Sequence, residues 1–256
     1  MSSEKITFNK ENLDMYLKEV AKEFRRLNGK KMHAEIVLVG GAAVLINYNF
    51  RDMTTDMDAI IRASSAMKEA INKIGDKFDL PNRWINDDFV QTTSYSYKLI
   101  EVSTYYKTFS NVLEVRTVAS EYLIAMKLKS ARKYKSDLSD VIGILNEHNN
   151  RGDRITFERI NQAMYVLYNG WDNISDEIKR YIQELTNQGI DYERYYLDKK
   201  KEESAANETL IIFNKDYPDI LSEDNTDDIL TQMKKKFERE KLKEPTGSFF
   251  GGEERL

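Results

Sequence analysis

The chain of 256 residues contains no cysteine and two histidines, His33 and His148. Without thiols it can build neither a disulfide nor a thiolate zinc site, which fits a reducing compartment. Histidines so far apart define no metal cluster by spacing, and neither takes a role here. Long apolar runs are missing: none approaches the roughly 18 residues that a membrane span needs. The opening stretch, Met1 to Asn12, is polar and lacks the apolar region of a signal peptide. Excess positive charge is absent too. A formal net charge of −4 argues against nucleic-acid binding through a global field. No internal repeat is found. The expectation is a cytoplasmic protein without membrane contact.

What is present is an ordinary globular balance, with 41% hydrophobic and 32% charged residues. That is enough for one full core and a smaller second unit. Apolar residues at Leu13, Leu17, Val20, Ala21 and Phe24 predict an amphipathic helix over Leu13–Leu27, ended by Asn28-Gly29. Glu35–Val39 is a β-branched run that stops at Gly40-Gly41, the pattern of a buried strand. A helix over Ala42–Asn49 opens directly at the glycine pair. Thr54–Ile61 reads as a second strand, and Ser64–Phe78 as a helix with Ser64 or Ser65 as its N-cap.

The stretch Phe89–Thr117, rich in Tyr, Thr, Val and Phe, predicts two or three more strands. Ile124, Lys127, Ala131, Tyr134, Leu138, Val141 and Leu145 then share one helical face over Glu121–Leu145, with a break near Ser136 left open. After the loop-like cluster Asn149–Asp153 the chain is helical, with amphipathic segments at Phe157–Tyr168 and Ser175–Thr186 and a charged helix over Asp228–Lys243. Together these elements predict an α+β fold: a mixed sheet flanked by helices over 1–150, a helical region over 151–244, and a flexible tail over 245–256.

The chemistry lies in Asp56 and Asp58. Two residues apart on a strand, they project from one face with Cα atoms about 7 Å apart, at a rise of roughly 3.3 Å per residue. Met57, Ala59 and Ile61 would point into the core. Paired carboxylates suit Mg²⁺, which prefers carboxylate, water and phosphate oxygens. A lone Asp-x-Asp is common and more often marks a solvated strand end. The glycine pair makes this one specific, because a strand running through Gly-Gly into a helix leaves backbone N–H groups facing a ligand, a good phosphate cradle.

The run Val37-Leu38-Val39-Gly40-Gly41, followed by Thr55-Asp56-Met57-Asp58-Ala59-Ile60, resembles the nucleotidyltransferase signature of the DNA polymerase β superfamily. The spacer, Ala42 to Thr55, is slightly longer than many members have. The sequence is similar to the bacterial AbiEii-like group and its uncharacterised relatives, in which a basic residue like Arg51 is common. Glu121–Leu128 with Arg132, Asp137 and Asp140 is similar to the Lys … Asp motif of that group. The resemblance implies Mg²⁺-dependent transfer of a nucleoside monophosphate from an NTP to an acceptor hydroxyl. Gly40, Gly41, Arg51, Thr55 and Lys127 would then bind nucleotide. It also implies a tRNA or other RNA 3′ end as acceptor and a cognate antitoxin protein as partner. A protein hydroxyl or a small molecule is the other acceptor class.

Lys127 stands in an apolar helical stripe, where an unpaired ammonium is costly. It therefore reaches a carboxylate or a phosphate, or snorkels to the surface. The basic run from Lys127 to Lys135 contacts triphosphate or RNA backbone, or is simply a solvated face. A third metal carboxylate is expected from a later strand. Glu114 is preferred because Leu113 and Val115 would face the core; Glu101 and Asp88 are the alternatives. Tyr95, Tyr97, Tyr105 and Tyr106 are read as core or strand-surface residues rather than base-stacking ones. The rival reading is a catalytically silent nucleotide- or partner-binding protein on the same fold. Retention of Asp56, Asp58 and Lys127 counts against it. A sugar-nucleotide glycosyltransferase would need a βαβ nucleotide-binding series that is not evident.

Overall fold

The computed structural model describes residues 7–222 and 225–241, with backbone alone over 237–241. Helix α1 (Lys10–Asn28) begins where Asn9 and Asn12 cap one another, each side-chain oxygen accepting the other's backbone N–H at 2.9 Å. It ends at Gly29, whose φ of 76° lets its N–H reach the Arg25 carbonyl. The elements that follow are β1 (Ala34–Leu38), α2 (Gly40–Asn47), β2 (Met57–Arg62), α3 (Ala66–Phe78) and β3 (Ile85–Asn86). Next come β4 (Ser103–Phe109), β5 (Leu113–Val118), α4 (Ser120–Ser130) and α5 (Asp137–Asn150). Helices α6 (Phe157–Tyr168), α7 (Asp176–Leu185), α8 (Tyr192–Asp216) and α9 (Thr226–Lys241) complete the series.

The five strands form one mixed sheet in the order β3-β2-β1-β5-β4. Strand β1 runs antiparallel to β2 and parallel to β5, β2 parallel to β3, and β4 antiparallel to β5. Alternation along the central strands sorts their side chains between two cores. Ile36, Leu38, Met57, Ala59, Leu113 and Val115 face α1 and α3. Val37, Val39, Ile60 and Val118 face the layer made by α4, α5, α6 and α7. Because β1 is covered on both sides, its sequence is apolar almost throughout. The buried Leu and Phe residues of α1 each stabilise the fold by roughly 1.5–3 kcal/mol relative to exposure.

The mixed α+β architecture agrees with the sequence pattern, and the details depart from it in three places. Strand β2 starts at Met57, so Asp56 precedes it, and Thr54 instead makes an isolated bridge to Phe8. Ser65 holds the N-cap position of α3 but is already in helical conformation and makes no side-chain cap, while Ser64 Oγ accepts from Asn28 Nδ2 at 2.9 Å. Phe89–Thr117 holds two of the expected strands, β4 and β5, and its first part is not strand but two 3₁₀ turns, at Asp88–Gln91 and Tyr97–Leu99, and a turn at Glu101. The break left open near Ser136 is present, and Glu121–Leu145 is two helices. Ala131 closes α4 in left-handed conformation, φ 40°, and α5 starts at Asp137. The stripe is interrupted after Ala131 and resumes in α5, where Leu138, Val141 and Leu145 pack on the same core as Ile124.

The chain divides into two compact units: Met1–Ala131 with Asp137–Lys199, and Arg132–Ser136 with Lys200–Leu256. Residue 150, the boundary suggested by sequence, lies inside the first unit, where Ile160, Met164, Ile182 and Leu185 share a core with α4 and α5. The second unit has a small core of Ala206, Leu210 and Leu230, with Tyr134 and Leu221 against it. The charged helix expected to end at Lys243 is α9, described to Lys241. The tail expected over 245–256 lies outside the described residues. No helix among the described residues is long and apolar enough to cross a membrane.

Candidate active site

Strand β1 runs into a turn that only glycine can make at low cost. Gly40 has φ +55°, and a Cβ placed on it would lie 3.4 Å from Asp58 Oδ2. The strands explain this approach: β2 runs antiparallel beside β1, with Leu38 opposite Ala59, and the Val39 N–H donates to the Asp58 carbonyl at 3.0 Å. Asp58 therefore stands beside the mouth of α2. That helix opens at Gly40, its N-cap is Val39, and no side chain caps it. The N–H groups of its first turn have no partner within the helix. Met57 and Ala59 are buried on the α1/α3 side, while Asp58 is half-buried and Asp56 exposed. Met57 and Ala59 thus close the apolar face, while Asp58 leaves the strand on the other side and Asp56 lies just before it.

Gly41 has a different neighbour. A Cβ there would meet Thr54 Oγ1 at 2.6 Å and Arg51 Nη2 at 3.0 Å, so this glycine opens toward protein atoms. Thr54 is buried and its hydroxyl donates to the Asp56 carbonyl at 3.2 Å and to Asp56 Oδ1 at 3.3 Å. Thr55, the threonine singled out in the sequence, is exposed. Two adjacent threonines are indistinguishable by composition; only the backbone bridge to Phe8 turns one of them inward.

Lys127 does not snorkel. It is buried and its Nζ lies 3.0 Å from Asp137 Oδ1 and 2.9 Å from Asp140 Oδ2. Burial pulls the ammonium pKa down, but Asp140 and Asp137 outweigh that and hold it above the ordinary lysine value. On the other side Arg51 Nη1 pairs with the same Asp140 Oδ2, and Arg51 Nε donates to the Met53 carbonyl at 3.0 Å. The expected anion for Lys127 is thus a carboxylate pair. Arg51, Asp140, Lys127 and Asp137 form one largely buried network of two cations and two anions behind the glycine turn.

The preferred third carboxylate does not join the acidic pair. Glu114 is in register with Glu35, four positions along β1 from Val39. That is about 13 Å of strand at roughly 3.3 Å per residue. There it pairs with Arg116 Nη1 at 2.9 Å. The β5 position level with Val39 on the same face is Val118, which is buried. Glu101 lies in the turn before β4, not on a strand. Asp88 begins the 3₁₀ turn after β3 and pairs with Arg83. It comes two residues after Asn86, which is paired with Asp58 across β2–β3. Asn86 is thus a polar neighbour of Asp58 that the sequence offers no reason to select. Arg132 belongs to the second compact unit.

His148, given no role from sequence, is buried in a hydrogen-bonded chain. Its Nε2 meets Ser120 Oγ at 2.9 Å and its Nδ1 meets Asp153 Oδ2 at 3.2 Å, while Tyr48 Oη donates to Ser120 Oγ at 2.8 Å. Burial pushes the Tyr48 hydroxyl up to about 12. Of the tyrosines, Tyr95 and Tyr106 pack against the cores, whereas Tyr97 and Tyr105 are exposed.

No group of three or more His, Asp or Glu side chains among the described residues is arranged to hold a metal. The donor set still suits Mg²⁺, which takes one or two protein carboxylates and completes its shell with water and phosphate oxygens. A strand, a glycine turn opening a helix without a side-chain cap, and an acid on the adjacent antiparallel strand meet at one place. The chain belongs to the family described as "Nucleotidyltransferase of unknown function (DUF6036)", matched over residues 15–200. No curated protein and no solved structure matches the chain.

Proposed function

We propose that this chain is a Mg²⁺-dependent nucleotidyltransferase that moves a nucleoside monophosphate from an NTP to an acceptor hydroxyl and releases pyrophosphate. One observation carries the reading: Asp58 Oδ2 sits 3.4 Å from the Cβ position of a left-handed glycine that opens an uncapped helix. Phosphates and a carboxylate-bound cation would share that mouth. The first-turn N–H groups of α2 bind the outer phosphates, favoured by the positive end of the helix dipole. Asp56 and Asp58 would hold Mg²⁺, which would supply Lewis-acid polarisation of a phosphate oxygen and a lowered pKa for a bound hydroxyl. Asn86, beside Asp58 on β3, is the neutral polar neighbour of the metal ligands. Arg51 and Lys127 act from behind: their charges are matched by Asp140 and Asp137, so they hold the turn in place.

The acceptor we favour is an RNA 3′ end, tRNA included, on the strength of the AbiEii-like resemblance; an antitoxin partner follows from the same resemblance, and a cytoplasmic setting from the polar N-terminal stretch and the lack of a long apolar run. A second reading has one observation in its favour. Val118 stands where a third carboxylate would be level with Asp58, which suits a nucleotide-binding protein without turnover.

Incubation of the purified chain with Mg²⁺ and each α-labelled NTP, with tRNA, total RNA or protein present, tests both. Transfer of label to an acceptor, lost in Asp58→Asn, is the expected result. NTP–Mg²⁺ raising the melting temperature without turnover on any acceptor would favour the silent binder. Neither turnover nor a shift would overturn both.

A further inference from the structure

Thr54 combines three contacts that nothing in the Asp-x-Asp pattern requires. It is 2% exposed although its neighbours Met53, Thr55 and Asp56 are all exposed. Its main chain is held on both sides by Phe8: Phe8 N donates to Thr54 O at 2.7 Å and Thr54 N donates to Phe8 O at 2.9 Å. Its hydroxyl proton is shared between the Asp56 carbonyl at 3.2 Å and Asp56 Oδ1 at 3.3 Å, and its Oγ1 fills the place where Gly41 would carry a methyl.

Phe8 in turn is fully buried, stacked on Trp84 with ring centroids 6.0 Å apart and edge-on to Tyr16. Trp84 donates its indole N–H to the Ile71 carbonyl at 3.1 Å and directly precedes β3, which pairs with Met57 and Asp58. Both chain segments that enter the site, 54–56 and 84–86, are thereby anchored on Phe8, the first through its main chain and the second through its ring.

A solvated aspartate needs no such support, because water satisfies it in any rotamer. A buried hydroxyl directed at it has one physical effect: it holds one carboxylate oxygen, fixes the rotamer and leaves the other oxygen for a ligand. Groups of this kind around metal ligands tune affinity by about 10- to 100-fold.

We infer that Thr54, clamped by Phe8 and given room by Gly41, is a positioning residue that orients Asp56 for the metal. The inference rests on the proposed metal-binding function of Asp56 and Asp58. It also gives Gly41 a task separate from that of Gly40: Gly40 supplies the left-handed turn beside Asp58, and Gly41 makes room for the residue that steers Asp56.

The test measures Mn²⁺ affinity of the full chain, by electron paramagnetic resonance of the free ion, alongside melting temperature. Thr54→Val should weaken Mn²⁺ binding by about tenfold or more, and Thr54→Ser, which keeps the hydroxyl, should restore it. Thr54→Ala replaces the valine variant if that one does not fold. Gly41→Ala should weaken binding alone. Combined with Thr54→Ala it should add little further, because the methyl then occupies the space the hydroxyl left and only the contact with Arg51 Nη2 at 3.0 Å has to give. Asp58→Asn separates the two levels. If it abolishes Mn²⁺ binding while the Thr54 variants bind as wild type, the positioning role is wrong and the metal site stands. Equal binding by wild type and Asp58→Asn would overturn the metal site, and the role of Thr54 with it. Simple additivity of Gly41→Ala and Thr54→Ala would overturn the part given to Gly41.

Discussion

Lys127 Nζ lies 2.9 Å from Asp140 Oδ2, the same carboxylate oxygen that Arg51 Nη1 reaches from the loop after α2. One buried oxygen thus joins the helix that follows the sheet to the loop that precedes the acidic pair. Lys127 has a second partner in Asp137, whereas Arg51 touches the glycine turn itself.

Truncating this lysine should unfold the site before it affects any nucleotide contact. Lys127→Met removes the cation shared by the buried Asp137 and Asp140 carboxylates, a loss of about 3–5 kcal/mol. Lys127→Arg, which keeps a positive charge there, should cost less than Lys127→Met. Urea unfolding of the two variants checks this. A methionine variant as stable as wild type would mean that the network contributes nothing.

Gly40→Ala should be destabilising by about 1–2 kcal/mol, the cost of a side chain in left-handed conformation. The added methyl, 3.4 Å from Asp58 Oδ2, is in ordinary contact. Strain, not collision, therefore sets the penalty. Unfolding free energy and nucleotide-dependent thermal shifts should fall together in this variant.

Gly143→Ala tests the support of Arg51 from a distance. A Cβ there would lie 2.5 Å from the Phe50 ring, which also packs against Tyr196. Overpacking of this kind costs about 1–3 kcal/mol. Phe50→Leu in the same chain should recover part of it. Calorimetric melting of the two variants decides the point.

Acid should loosen the α1–α3 side first. Hydrogen bonds from Lys22 and then Lys77 lower the Glu19 carboxyl from 4.5 to about 2, and those from Arg26 and then Lys73 lower Glu23 likewise. Both folded values lie below the unfolded one, so the unfolded chain binds more protons between them. The stabilisation is complete above about pH 4.5 and is lost as pH falls toward 2. Melting temperature from pH 6 to pH 2 should drop more steeply in wild type than in Glu19→Gln with Glu23→Gln. Salt should shrink the difference, because these groups lie near the surface.

Much of this fold is legible in one dimension. The period of α1, the apolar run of β1 and its stop at Gly40-Gly41 need no tertiary information, because side-chain periodicity and glycine's access to positive φ are local properties. The placing of Asp58 beside the glycine turn follows once two strands are paired antiparallel, and the spacing of the signature implies that pairing. Glu114 shows the limit. Its alternation with Leu113 and Val115 gave the face correctly, but the face alone does not say how far along the sheet a residue stands. Register with β1 puts it at the opposite end.

Sequence by itself therefore determined the class of fold, the acidic pair and the glycine pair, since each depends on neighbours along the chain. Tertiary structure alone decided which threonine turns inward, which anion Lys127 meets and why Gly41 has no side chain. Those outcomes depend on Phe8, Asp140 and Arg51, residues brought close by strand pairing and helix packing. No periodicity within a segment encodes a contact between segments.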